Sequence, residues 1–499
     1  MDREEVISVL RERKLLITPD ALSHVVEHTN CREIIGKAVE APGGLFITKK
    51  RIEEIAEEIF EAQKAMQVSV VKGTTAFQPF AKEIVGSVKM DEESDVSGKS
   101  DCTGKVEDFV EYFRDRFERE ASLMRQRPNP PIKCSALKGS LQKAATPGRK
   151  DAAIVGIVLD KRVTKNGHTL IELEDEEGTQ PCLVPKDAEA ALREMAADIV
   201  LDEVITLSGY LSNGGLFIVK EIIWPDIPFK QKRKTQDDVA IAMVSDLQIG
   251  SRYFLREQFT KFLSFLSGEG EGREIAGKVK YLAIAGDVVD GIGVYPTQEK
   301  ELVAKDVYTQ YEIFSEFVKN IPEYIEIIVI PGNHDAVRIA QPRPRLPREF
   351  TRYLDGYSNV HFAGDPSIAE LHGLRTMLFH GDSYYSMASA IPRLRDSTTH
   401  PEKVGVELLR RRHLSPLYGE NPIVPEHKDY LFINEVPDIM HFGHVHHNGY
   451  ATYRGTTIIN SGTWQDTTDY QLKQGHLPTP CQLPIYHCKT GEISVLNFK

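Results

Sequence analysis

Five short motifs in the second half of the chain carry side chains that bind metal ions. In order they are SDLQIGS (245–251), AIAGDVVDG (283–291), VIPGNHD (329–335), MLFHGDS (377–383) and HFGHVHH (441–447). We expect each motif to lie at the end of a strand or in the loop after one, because apolar runs precede four of them. Carboxylates, amides and imidazoles together are typical of a centre that holds two divalent ions for phosphoryl chemistry.

The residue types predict how two ions are held. Asp287 is expected to bridge them, since only a carboxylate offers two anionic oxygens to metals roughly 3.5–4 Å apart. Asn333 offers a neutral oxygen, and His380, His444 and His446 offer nitrogens that suit manganese, iron or zinc. In GHVH the i, i+2 spacing places both imidazoles on one side of an extended segment, where each can reach a different ion. Three glycines are expected to let the backbone turn tightly beside the metals: Gly286, Gly332 and Gly443.

One position departs from the usual pattern. Two-metal phosphoesterases typically begin with Asp-x-His, whereas SDLQIGS places Gln248 after Asp246. The amide oxygen of Gln248 is neutral and harder than imidazole, so it favours manganese or magnesium over zinc. The first site is therefore either a working site with an altered, weaker ligand or a decayed one.

The order of elements predicts a layered domain over 235–499. The first three motifs alternate with helical stretches such as REQFTKFLSFLSG and QYEIFSEFVKN. Loops at the ends of successive strands gather at one edge of such a sheet. That edge is where the five motifs are expected to meet.

The segments before residue 235 predict a multidomain α+β protein. Residues 1–70 have helical periodicity and form a small helical domain for partner contact, and 71–105, rich in Ser, Gly, Asp and Lys, is a flexible linker. A helix and connector follow over 106–148, with an aromatic stripe interpreted as core. Three strands, a helix and two strands over 149–228 are the order of an OB-fold barrel, for which we favour protein docking over single-strand binding.

Composition narrows the function classes. With 73 acidic and 61 basic residues the net charge is −12, so any DNA contact is expected to be local, metal-assisted or shared with a partner. The six cysteines include no Cys-x-x-Cys pair and are interpreted as reduced thiols. No apolar run approaches the ~20 residues of a membrane span, and the charged start is unlike a signal peptide, so we expect a cytoplasmic protein.

The five motifs in this order resemble those of the calcineurin-like metallophosphoesterases: Asp-x-His, Gly-Asp, Gly-Asn-His-Asp, His and Gly-His-x-His. Seven of the eight expected positions hold the expected residue. The resemblance implies a layered α/β/β/α domain. The order of segments across 1–70 and 106–499 is similar to that of a narrower family, the small subunits of archaeal family D DNA polymerases, which are their 3′→5′ exonuclease subunits.

These resemblances imply roles for individual residues. The first metal is then held by Asp246, Asp287 and His446, with Gln248 at the position of a further histidine. The second metal is held by Asp287, Asn333, His380 and His444. His334 faces the scissile phosphate, where it stabilises charge or protonates the leaving oxygen, and Asp335 orients its imidazole. The two divalent ions are expected to be manganese, with magnesium, iron and zinc as alternatives.

The family resemblance also implies an activity and partners. The expected reaction is metal-dependent hydrolysis of single-stranded or mispaired DNA 3′ ends to 5′-mononucleotides. It would proofread for a large catalytic subunit in a heterodimer that contacts the sliding clamp through the holoenzyme. Two alternatives stay open: a catalytically weakened scaffold subunit that assembles and stabilises the large subunit, and a stand-alone phosphodiesterase or phosphoprotein phosphatase.

A run of arginines follows GNHD. Either they steer phosphate toward the site, or they lie in a solvated, proline-punctuated loop. The residues are Arg338, Arg343, Arg345, Arg348 and Arg352.

Overall fold

The computed structural model describes residues 3–26, 31–40, 46–64, 77–139, 151–395 and 397–499. They belong to two compact units, Met1–Ser69 and Val70–Lys499. Among the helices of these ranges, none combines the length and the apolar character that crossing a membrane requires.

The first unit is a small helical bundle with one pair of short parallel strands. Its apolar residues recur every three or four positions, so each helix buries one face in a common core that includes Val6, Leu10, Val25, Ile34 and Ile55. The elements are α1 (Arg3–Glu12), β1 (Leu16–Ile17), α2 (Pro19–Val26), α3 (Cys31–Glu40), β2 (Phe46–Ile47) and α4 (Lys49–Lys64).

The segment expected to be a flexible linker is instead structured over residues 77–105. A short helix, α5 (Phe80–Glu83), precedes strand β3 (Val88–Met90). This strand pairs antiparallel with Ser367–Leu371, so that Met90 lies opposite Ala369 and Val88 opposite Leu371. The linker prediction was wrong here because a three-residue edge strand needs little apolar sequence when another sheet supplies its partner. Residues 71–76 lie outside the described part of the chain.

The middle of the second unit is a closed five-stranded barrel. Helix α6 (Val106–Arg125) buries Tyr112 and Phe117, which supports a core role for its aromatic stripe. The barrel closes because the first strand pairs with both the second and the fourth. The elements that follow α6 are β4 (Ile132–Lys133), β5 (Asp151–Val163), β6 (Thr169–Asp175), β7 (Gly178–Val184), α7 (Ala190–Ala197), β8 (Val204–Leu211) and β9 (Phe217–Ile223). Three strands, a helix and two strands are the order that the sequence predicts.

Two six-stranded sheets make up the rest of the second unit. In the first, the strand order is β13-β12-β11-β10-β19-β20, and in the second it is β17-β18-β16-β15-β14-β3. The strands are β10 (Ala240–Val244), β11 (Val279–Ala285), β12 (Glu326–Ile330), β13 (Val360–Phe362), β14 (Ser367–Leu371), β15 (Leu374–Leu378), β16 (Ile439–Phe442), β17 (Asn448–Tyr453), β18 (Thr456–Ser461), β19 (Gln482–His487) and β20 (Ile493–Asn497). The helices between them are α8 (Arg256–Leu266), α9 (Arg273–Ala276), α10 (Val307–Lys319), α11 (Arg348–Thr351), α12 (Tyr384–Ala390), α13 (Pro401–Arg411) and α14 (Asp469–Gln474).

Alternation along the strands of the second sheet creates two cores. Leu378 and Ile439 face the first sheet and pack with its Met243 and Ile328. Their chain neighbours Met377 and Met440 face the other way, against α12 and α13. The second sheet therefore lies between the first sheet and a helical layer.

Candidate metal centre

The loops that carry the five motifs meet at one edge of the two sheets. The first three motifs follow β10, β11 and β12, which run parallel to one another, and the last two follow β15 and β16, which are also parallel. Parallel strands end at the same edge, so residues far apart in the chain are brought together. The backbone N–H of His444, for example, donates to Asp246 Oδ2 at 2.9 Å across 198 positions.

Four of the predicted ligands form a tight group. His380 Nε2 lies 3.4 Å from Asp287 Oδ1 and 2.9 Å from Asn333 Oδ1. His444 Nδ1 lies 3.1 Å from Asn333 Oδ1 and 3.3 Å from His380 Nε2. Ligand atoms bound about 2.0–2.2 Å from one ion lie roughly 2.9–3.5 Å apart. The four atoms are therefore spaced as the ligands of one cation.

A second group shares Asp287 with the first. His446 Nε2 lies 3.3 Å from Asp246 Oδ1, and Gln248 Nε2 donates to Asp287 Oδ2 at 2.9 Å. The two oxygens of Asp287 thus face different groups, as a bridging carboxylate requires. Ligand atoms of Asp246, Asp287 and His380, all buried, lie within 4.8 Å of one another.

Several polar atoms of the centre are better placed to bind cations than to form hydrogen bonds with one another. The carbonyl of Ala285 can only accept, so His380 Nδ1 carries a hydrogen and donates it over 2.9 Å; His380 Nε2, 2.9 Å from Asn333 Oδ1, is then the nitrogen that a cation would bind. Within the part of the chain that the structure describes, Asp246 Oδ1 and Gln248 Oε1 are buried without a hydrogen-bond partner. Buried acceptors without donors are costly. A divalent ion in each group would satisfy these atoms, so the residues fit two metals.

The backbone of the centre is strained. A positive φ is uncommon outside glycine, yet five predicted ligands adopt one. The angles are 52° for Asp246, 54° for Gln248, 53° for Asp287, 70° for His444 and 56° for His446. GHVH is therefore not an extended segment, as its spacing suggested, and its two imidazoles reach different groups because the chain turns at both histidines. Strain of this kind concentrates at functional sites.

Two glycines make room for the ligands. A Cβ at Gly332 would lie 2.1 Å from Asp287 Oδ1, and one at Gly286 would lie 2.6 Å from His380 Nδ1. Both distances are far below van der Waals contact. Any side chain at either position would displace the ligand groups.

Burial and neighbouring charges shift the pKa values of three predicted ligands. Burial raises the pKa of Asp287, but the neighbouring His380 and His334 more than reverse this and lower it well below the usual value. Burial lowers the pKa of His380, but Asp287 raises it well above its ordinary value, so binding of a cation at Nε2 would release a proton. Burial also lowers the pKa of His444 to about 4, so this imidazole is neutral at pH 7 and keeps its lone pair.

His334 borders the centre without joining either group. Its Nδ1 donates to the carbonyl of Asp290 at 2.8 Å, which leaves Nε2 3.8 Å from Asp287 Oδ2. Burial lowers the pKa of His334, but Asp287 and Asp290 raise it above the ordinary value overall. The imidazole is therefore suited to carry a proton on Nε2.

Asp335 does not contact the imidazole that it was expected to orient. Its Oδ1 accepts from the hydroxyl of Tyr311 at 3.0 Å, and its Oδ2 accepts from the backbone N–H of Gly332 at 2.8 Å and of Val288 at 3.3 Å. Burial and the charge of Asp287 raise the pKa of Asp335 to about 6. Asp335 thus braces two site loops, and the carbonyl of Asp290 holds His334 instead.

Sequence reasoning missed the residues that support the ligands. Asp290 accepts from Gln298 Nε2 at 2.9 Å and from Gln465 Nε2 at 3.2 Å, which fixes the carbonyl that orients His334. Its only sequence signal is its place in the motif of Asp287. Gln471 Nε2 lies 2.8 Å from His446 Nδ1, and no motif marks it.

The arginine run does not act as one group. Arg343 is completely buried between Asp365, at 2.7 Å, and Asp382, at 2.5 Å, so it holds the HGDS loop and does not steer phosphate. Arg338 pairs with Glu426 at 2.8 Å. The alternative of a wholly solvated loop is wrong for the same two residues.

Comparisons with known proteins identify the class and then the family. Residues 241–452, which contain all five motifs, match the family of B subunits of DNA polymerases alpha and epsilon. The chain is 41% identical to the DNA polymerase II small subunit of Methanocaldococcus jannaschii over 87% of this chain and 74% of that protein. It is 36% identical to that of Methanothermobacter thermautotrophicus over 99% of both chains, and 37% identical to that of Archaeoglobus fulgidus over 92% and 90%.

The chain therefore belongs to the family of archaeal DNA polymerase II small subunits. This confirms the resemblance to the small subunits of archaeal family D DNA polymerases.

Proposed function

We propose that this chain is the 3′→5′ exonuclease subunit of a heterodimeric archaeal DNA polymerase. It would hydrolyse single-stranded or mispaired 3′ ends to 5′-mononucleotides and so proofread for a large catalytic subunit. The membership of the family supports the polymerase part. The geometry of the buried ligand groups supports the nuclease part.

One observation carries the proposal: seven side chains from five loops converge, and among the described residues two of their buried acceptor atoms have no hydrogen-bond donor. In one group Asp246, Gln248 and His446 would hold a divalent ion together with Asp287. In the other group Asn333, His380 and His444 would do so with the same Asp287. Manganese fits this mixture of oxygen and nitrogen ligands, and magnesium, iron or zinc are the alternatives. A pair of such ions supplies Lewis acidity and an activated water for in-line displacement at phosphorus.

The chain's own residues supply positioning and a proton. Asp287 would contribute one carboxylate oxygen to each of the two ligand groups. The carbonyl of Asp290 fixes the ring of His334. His334 Nε2 would donate its proton to the 3′-oxygen that leaves, which the raised pKa favours. Asp335 acts as a positioning residue, because it holds the loops of Asp287 and Gly332 together.

The barrel supports a role in assembly. We assign it to the OB-fold class from its order of three strands, a helix and two strands. Its sheets present the acidic run ELEDEE (172–177), which favours contact with the large subunit over contact with a DNA backbone. We place the heterodimer, and its contact with the sliding clamp through the holoenzyme, in the cytoplasm.

A scaffold role without catalysis is the second candidate, and Gln248 is the observation that favours it. As placed, its amide donates a hydrogen bond to Asp287 Oδ2, where a metal would otherwise lie. In a site that had lost one ion, this hydrogen bond would stabilise the Asp287 oxygen that no longer has a metal partner. Amide orientation follows from the hydrogen-bond partners, so rotation of the amide would turn the unpartnered Oε1 toward Asp287 and its ion.

Cleavage of a mismatched primer tests the two candidates. The full chain, alone and with its large subunit, is incubated with manganese and a labelled primer that ends in a 3′ mismatch. We expect mononucleotide release that EDTA stops and that His334→Ala abolishes, while the exposed His400→Ala retains it. Absence of cleavage in both preparations, with normal binding of the large subunit, would establish the scaffold instead. Release of phosphate from a phosphopeptide but not cleavage of DNA would indicate a phosphatase.

A further inference from the structure

The segment from Asp469 to His476 contacts residues of the metal centre and residues beside it. Gln471 contacts His446 at 2.8 Å, as described above. The preceding residue, Tyr470, stacks on Tyr295 with ring centroids 5.6 Å apart and planes at 27°. Tyr295 is in turn 6.2 Å from the ring of His334. One side of the segment is thus tied to the imidazole proposed as the proton donor.

The other side of the segment reaches the ligand group that contains His444. His476 stacks on Tyr385 with centroids 5.1 Å apart and planes at 10°, and Tyr385 Oη lies 3.3 Å from His476 Nδ1. The ring of Tyr385 meets the ring of His444 edge to face at 5.7 Å. Two stacked pairs therefore flank the centre, one beside His334 and one beside His444. We call Tyr295, Tyr385, Tyr470 and His476 the aromatic rim.

The rim is open to solvent, unlike an ordinary aromatic core. Tyr470 is 46% exposed and Tyr385 is 37% exposed. Large apolar side chains on this segment, directly after it and on the loop before Tyr295 are exposed as well: Ile292, Val294, Leu472 and Leu477. Several exposed apolar groups near a polar site are typical of a ligand-binding surface.

Charge decides which part of a nucleic acid such a surface binds. The chain has an excess of acidic residues, and the rim itself consists of phenol and imidazole rings. It offers flat faces for rings and little to neutralise phosphate. Single strands bind to exposed aromatic faces through base stacking, which tolerates any sequence because every base has such a face.

We propose that the aromatic rim binds the bases of the last nucleotides of a single strand and thereby delivers its terminal phosphodiester to the metal centre. The inference rests on the proposed nuclease function, to which it adds the residues that bind the unpaired bases of the substrate. A paired terminus keeps its bases stacked in the duplex and cannot use the rim. The rim would then select frayed or mispaired ends before any chemistry occurs.

Binding without cleavage tests the rim. The full chain in EDTA is titrated with a short oligothymidylate that ends in 2-aminopurine, whose fluorescence falls when it stacks. A second oligonucleotide has abasic residues at its 3′ end. We expect Tyr470→Leu and Tyr385→Leu each to weaken binding of the first about ten-fold, equivalent to ~1.4 kcal/mol for one stacked base. Tyr470→Phe and Tyr385→Phe should stay within about two-fold, because they keep the ring.

The controls separate stacking from other causes. Tyr450→Leu changes a tyrosine that is 51% exposed on β17 and outside the rim, and we expect it to bind as the unchanged chain does. Abasic ends should bind weakly and equally to all variants. Equal affinities of the Leu variants and the unchanged chain for 2-aminopurine ends would overturn the proposal and leave the exposed rim as a protein-docking surface. Equal losses for base-bearing and abasic ends would also overturn it, because they would indicate contact with the sugar-phosphate backbone.

The outcome is distinguishable from failure of the nuclease proposal. Base-dependent binding without metal-dependent cleavage would refute the nuclease and keep the rim. Cleavage that depends on His334 but ignores the terminal base would refute the rim and keep the nuclease.

Discussion

Replacing Arg343 with methionine is expected to destabilise the second unit and to weaken its affinity for metal. The guanidinium donates to Asp365 at 2.7 Å and to both oxygens of Asp382, at 2.9 and 2.5 Å, and is completely buried. Methionine fills a similar volume but leaves two carboxylates facing each other in the interior. The structure thus predicts a loss of charge balance and not only a loss of contact.

The expected sizes follow from these contacts. Removing one partner from a buried ion pair costs about 3–5 kcal/mol, because the remaining charge stays desolvated. Asp365 Oδ1 also accepts the backbone N–H of His380 at 2.8 Å, so a displaced Asp365 moves a predicted ligand. Loss of such a supporting contact weakens metal binding by roughly 10–100-fold.

Calorimetry measures both effects. Unfolding is followed by differential scanning and manganese affinity by isothermal titration, for Arg343→Met, Arg343→Lys and the matched Arg348→Met. Arg348 belongs to the same arginine run, but its side chain is 84% exposed and its pair with Asp355 is solvated, so we expect a change within about 0.5 kcal/mol. Arg343→Lys should fall between, since it keeps the charge without the planar fork. If Arg343→Met unfolds like Arg348→Met and binds manganese equally, the reasoning is refuted.

Three further predictions address other parts of the molecule. His413 donates to Asp429 and accepts from the N–H of Ser415, so protonation breaks a hydrogen bond; burial lowers its pKa from 6.5 to about 4. Its contribution to stability is therefore complete above pH 6.5 and falls by up to about 3 kcal/mol as the pH drops toward 4. Urea unfolding at pH 7.5 and 4.5 should show a smaller difference in the free energy of unfolding for His413→Gln than for the unchanged chain. An equal difference in the two proteins would contradict this prediction. Gln248→His should tighten manganese and zinc binding in isothermal titration; unchanged affinity and preference would mean that Gln248 is not a ligand. Trypsin should not cleave after Lys89 in the folded chain, because β3 is paired. Rapid cleavage there would support the interpretation of this segment as a flexible linker.

The convergence of the predicted ligands on one edge could be predicted because their signals are local. Four of the five motifs stand directly after an apolar run, and parallel strands with intervening helices bring such positions to one edge whatever the details of packing. Local sequence patterns also predicted the order of three strands, a helix and two strands in the barrel. Family motifs then assigned Asp287, Asn333 and the histidines to groups that the distances now support.

Hydrogen-bond partners were not predictable, because they depend on the path of the backbone and the rotamers around it. Asp335 is adjacent to His334 in sequence, yet its carboxylate turns toward Tyr311 and Gly332. Arg343 and Arg348 are five positions apart in one run, and only the first is buried. Strand β3 pairs with Leu371 and its neighbours in β14, which lie far along the chain, and no local hydrophobic pattern predicts such a pairing.

The strained backbone indicates how metal and fold are coupled. Left-handed φ angles cost about 1–3 kcal/mol each for residues other than glycine, and glycine would remove that cost together with the ligand. The loops hold these angles through bonds to one another: Asp246 N–H donates to the carbonyl of Gly286, Gln248 N–H to that of Asp287, and Trp464 N–H to that of Asp246. None of these bonds uses a ligand atom. These bonds would hold the loops in place with or without a cation, and a bound cation would stabilise the centre according to its affinity and concentration.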